Sequence, residues 1–258
     1  MLRKNIIFFF LLITTFLCSC ATINNSNISG ILPHKSFVHF YKTTTLKSCN
    51  EAQCLSLSFR SSASGFVVSI INDGSFAITA AHFCEDEAPK RNDLKKAKIV
   101  TKYKAIRLDG KSYKAVALTY QRDIDVCLIY VKDLIKEVKP VKISGRAPKP
   151  GDKVYNLAAP MGIVGPNMVP ILEGRFNGNL NGEAYYSLLA APGSSGSMIV
   201  NNRGKLIGMV HSVFTHFPVM TMATKYDNLK NFIKVNVKKY IIYKDMTKEL
   251  QLKDIFKI

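Results

Sequence analysis

A chain of 258 residues with 47% hydrophobic content can bury a sizeable core, which excludes a disordered chain or a simple repeat protein. Lysine and arginine outnumber aspartate and glutamate by 36 to 18, a formal charge of +18 at pH 7. Such an excess predicts an anionic neighbour. No zinc-finger spacing, P-loop or RNP-like aromatic motif occurs, so a membrane surface is favoured over nucleic acid. A lysine-rich solvated surface without a specific partner is the alternative.

Residues 1–19 have the pattern of an export signal. Two basic residues precede an apolar run at 6–17 that is too short to span a bilayer comfortably. The following junction resembles a bacterial lipobox, because Leu17 stands three residues before Cys20 and a small residue stands directly before it. Cys20 is therefore the expected lipidated N-terminus, and Cys18 fits worse because bulky residues precede it. We expect a lipoprotein of the cell envelope, with an ordinary cleaved signal as the alternative.

Residues 20–35 have the polar composition of a flexible tether, and we expect them to add nothing to the core. Two short strands, 37–41 and 55–59, are predicted next. The loop between them carries Cys49 and Cys54, which in an exported protein are expected to form a disulfide. A zinc site is the alternative, but no second closely spaced cysteine pair exists after the predicted signal sequence and its Cys20 junction. The sequence leaves open the pairing of the two remaining cysteines of the folded part, Cys84 and Cys127.

The next informative stretch ends at His82. An apolar strand at 64–68, an Asn-Asp-Gly turn at 72–74 and a strand at 76–82 predict a β-hairpin. Histidine at the end of such a strand suits a general base, since its ordinary pKa lies near neutrality. The other histidines lack this context: His34, His39, His211 and His216.

An aspartate begins the last strand of the first half. Three further strands precede it, at 98–100, 103–108 and 112–119. Asp125 then opens an apolar run at 126–130, where an unpaired carboxylate would be costly to bury. Pairing with His82 would remove that cost. Asp123 is the competing candidate, but it stands farther from the apolar run and is expected in the loop.

The second half contains the nucleophile candidate. Strands are predicted within 148–162 and at 168–174, 184–189, 205–213 and 219–224. The turn at 192–197 lies between two apolar stretches, and its glycines permit backbone angles that aim N–H groups beside a serine hydroxyl. We interpret Ser195 as a nucleophile and the N–H groups of Gly193 and Ser195 as oxyanion donors. A simple glycine-serine loop is the alternative.

The chain closes with a predicted helix. Leu229, Phe232 and Ile233 have helical spacing, which predicts a docking helix over 226–236. A basic tail at 237–258 follows, and its lysines are candidates for contact with anionic lipid: Lys238, Lys239, Lys244, Lys248, Lys253 and Lys257.

These motifs together resemble the chymotrypsin-fold serine proteases, most closely the Deg/HtrA-type peptidase domain without a PDZ domain. The resemblance covers about residues 60–235 and rests on His82, Asp125 and Ser195 occurring in the family's order. It implies an all-β fold of two six-stranded antiparallel barrels with a C-terminal helix. The protease domain is then 36–236, with barrel one at 36–136 and barrel two at 137–225.

The resemblance also implies a serine endopeptidase that acts on proteins or peptides without a cofactor or metal. His82 would deprotonate Ser195, Asp125 would orient the imidazole, and an acyl-enzyme would form. Ser197 departs from the glycine that many family members have at this position. The alternative is a catalytically inactive lipoprotein that keeps the protease fold as a binding scaffold.

The residues expected at the substrate pocket are Leu189, His211 and Ser212. Leu189 stands where trypsin-like enzymes that cleave after basic residues have an acid, so apolar side chains are expected before the cut. Cleavage after glutamate is the rival, because glutamyl endopeptidases place a pocket histidine near the position of His211. That histidine lies one residue later here, which in a regular strand would turn it to the opposite face.

Overall fold

The structure, a computed structural model, describes residues 28–49, 54–85, 98–214 and 217–255. The chain divides into two compact units, 1–31 and 32–258. In the first unit the described part is a short helix, Ile28–Ile31 (α1). The predicted signal sequence and Cys20 lie outside the described residues.

Six antiparallel strands of the second unit form a closed barrel. They are Phe37–Cys49 (β1), Cys54–Ile71 (β2), Gly74–Thr79 (β3), Lys98–Ile106 (β4), Ser112–Gln121 (β5) and Val126–Lys132 (β6). Their order around the barrel is β1-β2-β3-β6-β5-β4, and pairing of β1 with β4 closes it. The predicted turn joins β2 to β3, with Ile71 opposite Gly74. A side chain at Gly74 would place its Cβ 2.3 Å from the carbonyl oxygen of Val131.

Strands β1 and β2 are much longer than predicted. They have 13 and 18 residues, and β2 joins the segments predicted as separate strands at 55–59 and 64–68. The residues outside the predicted strands, 42–49 and 60–63, are mostly lysine, arginine, threonine and serine, so the apolar periodicity that marks a half-buried strand is weak there. Cys54 is disulfide-bonded, and the register places Cys49 opposite it. The pairing of these two cysteines stays a prediction.

A second closed barrel follows. Its strands are Lys153–Leu157 (β7), Ile171–Leu180 (β8), Glu183–Ser187 (β9), Met198–Asn201 (β10), Leu206–Phe214 (β11) and Phe217–Thr224 (β12). They are ordered β10-β11-β12-β9-β8-β7, and β7 pairs with β10. The all-β fold with two six-stranded antiparallel barrels is therefore confirmed.

The segment between the barrels is bonded to both of them. The N–H of Val141 donates to the carbonyl oxygen of Val67 in β2 (2.9 Å), and the N–H of Ser144 donates to that of Leu206 in β11 (2.9 Å). Each barrel has its own hydrophobic core. The linker holds the two cores in one unit, so residues at the facing ends of the barrels can build a shared site.

The C-terminal helix is longer than the sequence predicted. Helix Tyr226–Ile255 (α3) has 30 residues and continues through most of the region interpreted as a tail. Its first turns bury the predicted residues Leu229, Phe232 and Ile233. No glycine or proline occurs after residue 225, so nothing in the sequence stops the helix.

Helix α3 packs along the first barrel. The hydroxyl of Tyr240 donates to the carbonyl oxygen of Leu118 (2.9 Å), and Lys244 Nζ lies 2.6 and 2.8 Å from the carboxylate oxygens of Asp73. The Lys244 ammonium also sits 3.8 Å from the ring centroid of Tyr130, which adds a cation–π contact. Lys244 is thus part of the docking interface and not a free basic group of a tail. The side chains of Lys248 and Lys253, and the whole of Lys257, lie outside the described residues.

The folded unit begins earlier than residue 36. Leu32 is 5% exposed, so the expectation that 20–35 adds nothing to the core is wrong at this position. The Ser36 hydroxyl donates to the carbonyl oxygen of Lys139 (2.6 Å), and the N–H of Lys139 donates to that of Lys35 (3.1 Å). The segment was interpreted as a tether from its mostly polar composition, and composition does not show which of its few apolar residues is buried. None of the described helices is long and apolar enough to cross a membrane.

Candidate active site

His82 and Asp125 form a two-point contact at one end of the first barrel. His82 lies in a short helix, Ala81–Cys84 (α2), directly after β3, and Asp125 directly precedes β6. The Nδ1 of His82 lies 2.8 Å from Asp125 Oδ2, and the backbone N–H of His82 donates to Asp125 Oδ1 (2.9 Å). Both carboxylate oxygens are used, so the imidazole is fixed in orientation with Nδ1 toward the acid. Asp123 is exposed and accepts a hydrogen bond from Gln121 instead.

The backbone around this pair is held in an unusual conformation. Asp125 has φ of +50°, in the left-handed region that residues other than glycine rarely adopt. Its carbonyl oxygen accepts from the N–H of Ala81 (3.1 Å). A disulfide between Cys84 and Cys127, each two residues beyond one member of the pair, joins the same two segments. Such local strain is maintained only where surrounding contacts over-determine it.

The neighbours of His82 raise its pKa. The hydrogen bond to Asp125 is the largest cause, partial burial opposes it, and the charges of Asp125 and Glu85 add to the increase. Lys42 acts in the opposite direction. The Asp125 contact therefore favours the protonated imidazolium that a general base forms when it accepts a proton.

The turn that carries Ser195 is bound to the first barrel through Ser64. The N–H of Ser64 donates to the carbonyl oxygens of Gly193 (3.1 Å) and Ser195 (2.9 Å), and its hydroxyl donates to the former (2.8 Å). The same hydroxyl accepts from the N–H of Ala159 (2.9 Å). Ser64 is fully buried. Ser64 was interpreted from the sequence only as part of a strand. It holds the turn at 192–197, called the nucleophile turn because it carries the predicted nucleophile, across the barrel interface.

Close packing places the nucleophile turn beside the residues that lead into α2, the helix that carries His82. A Cβ on Gly196 would lie 2.3 Å from both Ser64 O and Thr79 Oγ1, and 2.8 Å from the N of Ala80. Ala80 stands two residues before His82, and Gly196 directly follows Ser195. Only glycine permits this approach. The fold therefore brings the segments of all three predicted triad residues to one cleft between the barrels.

The hydroxyl of Ser195 donates to the carbonyl oxygen of His211 at 3.4 Å. Within the described ranges, no hydrogen bond joins this hydroxyl to His82. Catalytic hydrogen bonds are often long or poorly aligned before substrate binds. Two residues of the predicted triad, His82 and Asp125, are in contact, and the turn that carries Ser195 packs against the segment that leads to His82.

Two peptide groups of the turn are oriented by hydrogen bonds on their carbonyl side. The carbonyl oxygen of Pro192 accepts from the N–H of Met161 (2.6 Å), and that of Ser194 accepts from the N–H of Ser197 (3.0 Å). In a planar trans peptide the N–H points opposite to the C=O. The N–H groups of Gly193 and Ser195 are therefore directed away from these partners, and neither has an acceptor among the described residues. Two free donors beside a serine hydroxyl suit an oxyanion hole.

The residues near the predicted pocket divide between core and surface. Leu188 and Ala190 are buried in the core of the second barrel, so they do not line a pocket. Leu189 faces the other way and is 53% exposed. Its side chain lies open to solvent rather than enclosed as a pocket floor.

His211 occupies a bulge in β11. The register between β11 and β12 shifts between Val210 and Ser212, so the regular alternation used to place the side chain of His211 does not hold here. Its Nε2 lies 2.7 Å from Glu183 Oε2, and its Nδ1 lies 3.0 Å from Ser212 Oγ. Both ring nitrogens are thus engaged by the chain's own groups, which leaves no ring donor for a substrate carboxylate in this state.

Comparisons with known proteins agree with the two-barrel fold. Residues 63–209 match the family described as "Trypsin-like peptidase domain". Among solved structures, the serine endoprotease from Yersinia pestis is similar, with a TM-score of 0.60 and 16% sequence identity over 83% of this chain and 67% of that one. At this identity the likeness concerns the fold. No curated protein matches in sequence. Since the family match spans more than half of the 258 residues, the chain belongs to the trypsin-like peptidase family and is a chymotrypsin-fold serine endopeptidase.

Proposed function

We propose that this endopeptidase works through a triad of His82, Asp125 and Ser195. The Nε2 of His82 takes the proton of the Ser195 hydroxyl as Oγ attacks the peptide carbonyl carbon. His82 then gives that proton to the leaving amine, and an acyl-enzyme remains. Water gives a proton to the same imidazole as it attacks the acyl carbon, and the imidazolium returns that proton to Ser195 Oγ as the ester bond breaks. Asp125 keeps the imidazole in the tautomer with Nδ1–H and stabilises its positive charge.

The two-point contact between His82 and Asp125 carries this proposal. A structural carboxylate could pair with histidine through one oxygen. Here both oxygens bind the same residue, while its Nε2 edge is left for another partner. The side chain of His82 is 52% exposed and that of Asp125 is 19% exposed, as a base open to substrate and its shielded partner require. The negative charge on the attacked oxygen would be bound by the N–H groups of Gly193 and Ser195.

The contact is tested by Asp125→Asn, with Asp123→Asn as the matched control. Asparagine keeps the shape of the side chain but removes its charge, and its amide favours the wrong imidazole tautomer. We expect kcat to fall about 10³- to 10⁴-fold in Asp125→Asn and to stay within about threefold in the control. Peptide hydrolysis at pH 7–8 measures both. Equal activity of the two variants would contradict the role given to Asp125.

We also propose that the enzyme is a lipoprotein of the cell envelope, attached through Cys20. The lipobox-like junction supports this, as does the disulfide content, because disulfides persist in oxidising compartments. The anchor contributes about 0.8 kcal/mol per buried CH₂. Fractionation of cells that express wild type and Cys20→Ser tests it. The variant should leave the membrane fraction; its full retention there would disprove the lipid anchor.

Helix α3 offers a second membrane contact on this proposal. Lys238 and Lys239 are exposed, and so are Val235, which is 53% exposed, and Ile242, which is 48% exposed. Basic and apolar groups on an outer helix face suit an anionic bilayer, at about 1 kcal/mol per lysine close to the surface.

Vesicle sedimentation tests this contact with anionic and with neutral lipid. Lys238→Gln/Lys239→Gln should weaken binding to the anionic vesicles. The control Lys104→Gln/Lys114→Gln removes the same charge from exposed positions of the first barrel. If both variants bind the anionic vesicles equally, binding depends on the net charge of the protein and not on the position of the lysines in α3.

A further inference from the structure

Ser197, the position that departs from the family's glycine, has a buried partner in the neighbouring strand. Its hydroxyl oxygen accepts a hydrogen bond from Asn156 Nδ2 (2.7 Å). Both residues are fully buried. Asn156 lies in β7 and is paired with Ile199 of β10, the strand that begins directly after Ser197. The extra hydroxyl of the nucleophile turn is thus matched by an amide on the facing strand.

Asn156 makes hydrogen bonds to two successive residues, Ser197 at the end of the turn and Met198 at the start of β10. Its Nδ2 also donates to the carbonyl oxygen of Met198 (2.9 Å), so both amide hydrogens are used. Its Oδ1 is buried and has no partner among the described residues. An unpaired buried acceptor lowers stability, and an apolar residue at this position would avoid that loss. The presence of asparagine at this position is therefore better explained by its hydrogen bonds to Ser197 and Met198 than by a gain in fold stability.

Ser197, which Asn156 binds, is linked by a hydrogen bond to one of the proposed oxyanion donors. The N–H of Ser197 donates to the carbonyl oxygen of Ser194 (3.0 Å), and that carbonyl belongs to the peptide group whose N–H is that of Ser195. The carbonyl oxygen of Ser197 accepts from the N–H of Val210 (3.0 Å), which fixes the other side of the residue. A shift of Ser197 would rotate the Ser194–Ser195 peptide and turn the N–H of Ser195 away from the attacked oxygen.

We infer that Asn156 is a positioning residue for the oxyanion hole, acting through Ser197. The inference rests on the proposed function, since it concerns the same Ser195 N–H. Asn156 does not touch substrate. It keeps the Ser194–Ser195 peptide in the orientation that binds the negative charge of the transition state, so its effect falls on kcat rather than on KM.

The experiment is a double-mutant cycle with Asn156→Ala, Ser197→Ala and the double variant. Loss of one oxyanion donor lowers kcat about 10²- to 10³-fold, so loss of its orientation should cost a smaller factor. We expect each single variant to lower kcat about 10- to 100-fold with KM changed less than about threefold. Because the two residues act as one unit, the double variant should be no slower than the slower single variant.

A stability control separates positioning from general loosening. Ser75 is fully buried in the first barrel, and its hydroxyl donates to the carbonyl oxygen of Leu134, far in sequence from the nucleophile turn. Ser75→Ala removes a buried hydrogen bond of the same kind. It should lower the midpoint of thermal unfolding and leave kcat unchanged when assayed well below that midpoint.

The results that overturn the inference differ from the result that contradicts the proposed function. The inference is overturned if the losses in kcat of the two single variants multiply in the double variant. It is also overturned if Asn156→Ala has the same kcat as Ser75→Ala. If Asn156→Ala does not fold, Ser197→Ala alone decides, because it removes one atom and must still lower kcat at unchanged KM. A wild-type enzyme without activity would instead contradict the proposed function.

Discussion

Cys84 and Cys127 form a disulfide that joins the helix carrying His82 to the strand that Asp125 precedes. The two cysteines are 43 residues apart, the same separation as the histidine and the aspartate. Each cysteine follows one member of the pair by two residues. The bond is buried in the core of the first barrel. It constrains the chain segment between the two predicted triad residues and lies in the core, away from the surface that they share.

Removing this disulfide should lower stability. Closing a loop of this length stabilises a protein by about 2–4 kcal/mol, mainly by constraining the unfolded chain. We expect Cys84→Ala/Cys127→Ala to lower the free energy of unfolding by that amount in urea titrations under oxidising conditions. The same titration of wild type in reductant is the parallel measurement. An unchanged midpoint in the variant would show that the bond does not contribute.

Acid should destabilise the protein partly through His39. This histidine is 2% exposed, its Nε2 has no partner among the described residues, and burial lowers its pKa from 6.5 to about 4. The unfolded chain binds the proton first as pH falls, so stability is unaffected above pH 6.5 and is lost between there and about pH 4. The loss amounts to about 3 kcal/mol.

His39→Leu isolates this effect, since it removes the titrating group from a buried position. The difference between the free energies of unfolding at pH 7 and pH 4 should be smaller in the variant by about that amount. Contributions of the carboxylates are common to both proteins and cancel in the comparison. If the free energy of unfolding changes equally between pH 7 and pH 4 in variant and wild type, His39 takes up its proton in the folded state as readily as in the unfolded chain.

The individual strands and the His82–Asp125 pair could be predicted from local signals, whereas the arrangement of the strands in two barrels was implied by the family resemblance. Apolar alternation, the turn at Asn72 and Asp73, and a carboxylate at the start of an apolar strand are all visible in a short window. The polar parts of β1 and β2 were missed because they give no hydrophobic period. The burial of Leu32 was missed because the mostly polar composition of 20–35 was interpreted as a tether. The full length of α3 was missed because a run of lysines was interpreted as a tail.

Contacts between small polar residues far apart in the chain were beyond sequence reasoning. Ser64 binds the nucleophile turn 129 residues away, and Asn156 binds Ser197 41 residues away. Each is a small polar residue in a strand, with no neighbour in sequence that reveals its partner. The bulge at His211 likewise depends on how β11 pairs with β12, and it removed the basis for assigning that side chain to a face of the strand.

The enzyme should need no activating cleavage. Digestive relatives form the oxyanion hole when a new N-terminus pairs with an aspartate directly before the nucleophile, and this chain has Ser194 there. Its buried hydroxyl accepts from the N–H of Ala191 (3.3 Å), a contact within the turn itself. Purified full-length protein should therefore hydrolyse peptides at once. Activity that emerges only after proteolytic nicking would contradict this prediction.

Specificity should favour small or medium apolar side chains before the cut. No acid stands at position 189, where a carboxylate selects lysine or arginine in trypsin-like enzymes, and the exposed side chain of Leu189 offers an apolar contact to the residue before the cut. Profiling with a peptide library measures the preference. Dominant valine, alanine, leucine or methionine agrees with the prediction. Dominant glutamate that weakens in His211→Ala would support the glutamyl alternative, and dominant arginine or lysine would contradict both.

The central claim is that Ser195 is a nucleophile activated by His82. A fluorophosphonate probe measures this directly, because it bonds covalently only to a serine whose proton a base removes. The account predicts rapid labelling of wild type, with the added mass on the peptide that contains Ser195, no labelling of Ser195→Ala, and strongly slowed labelling of His82→Ala. Labelling that persists in Ser195→Ala, or a folded wild type that is not labelled, would contradict it.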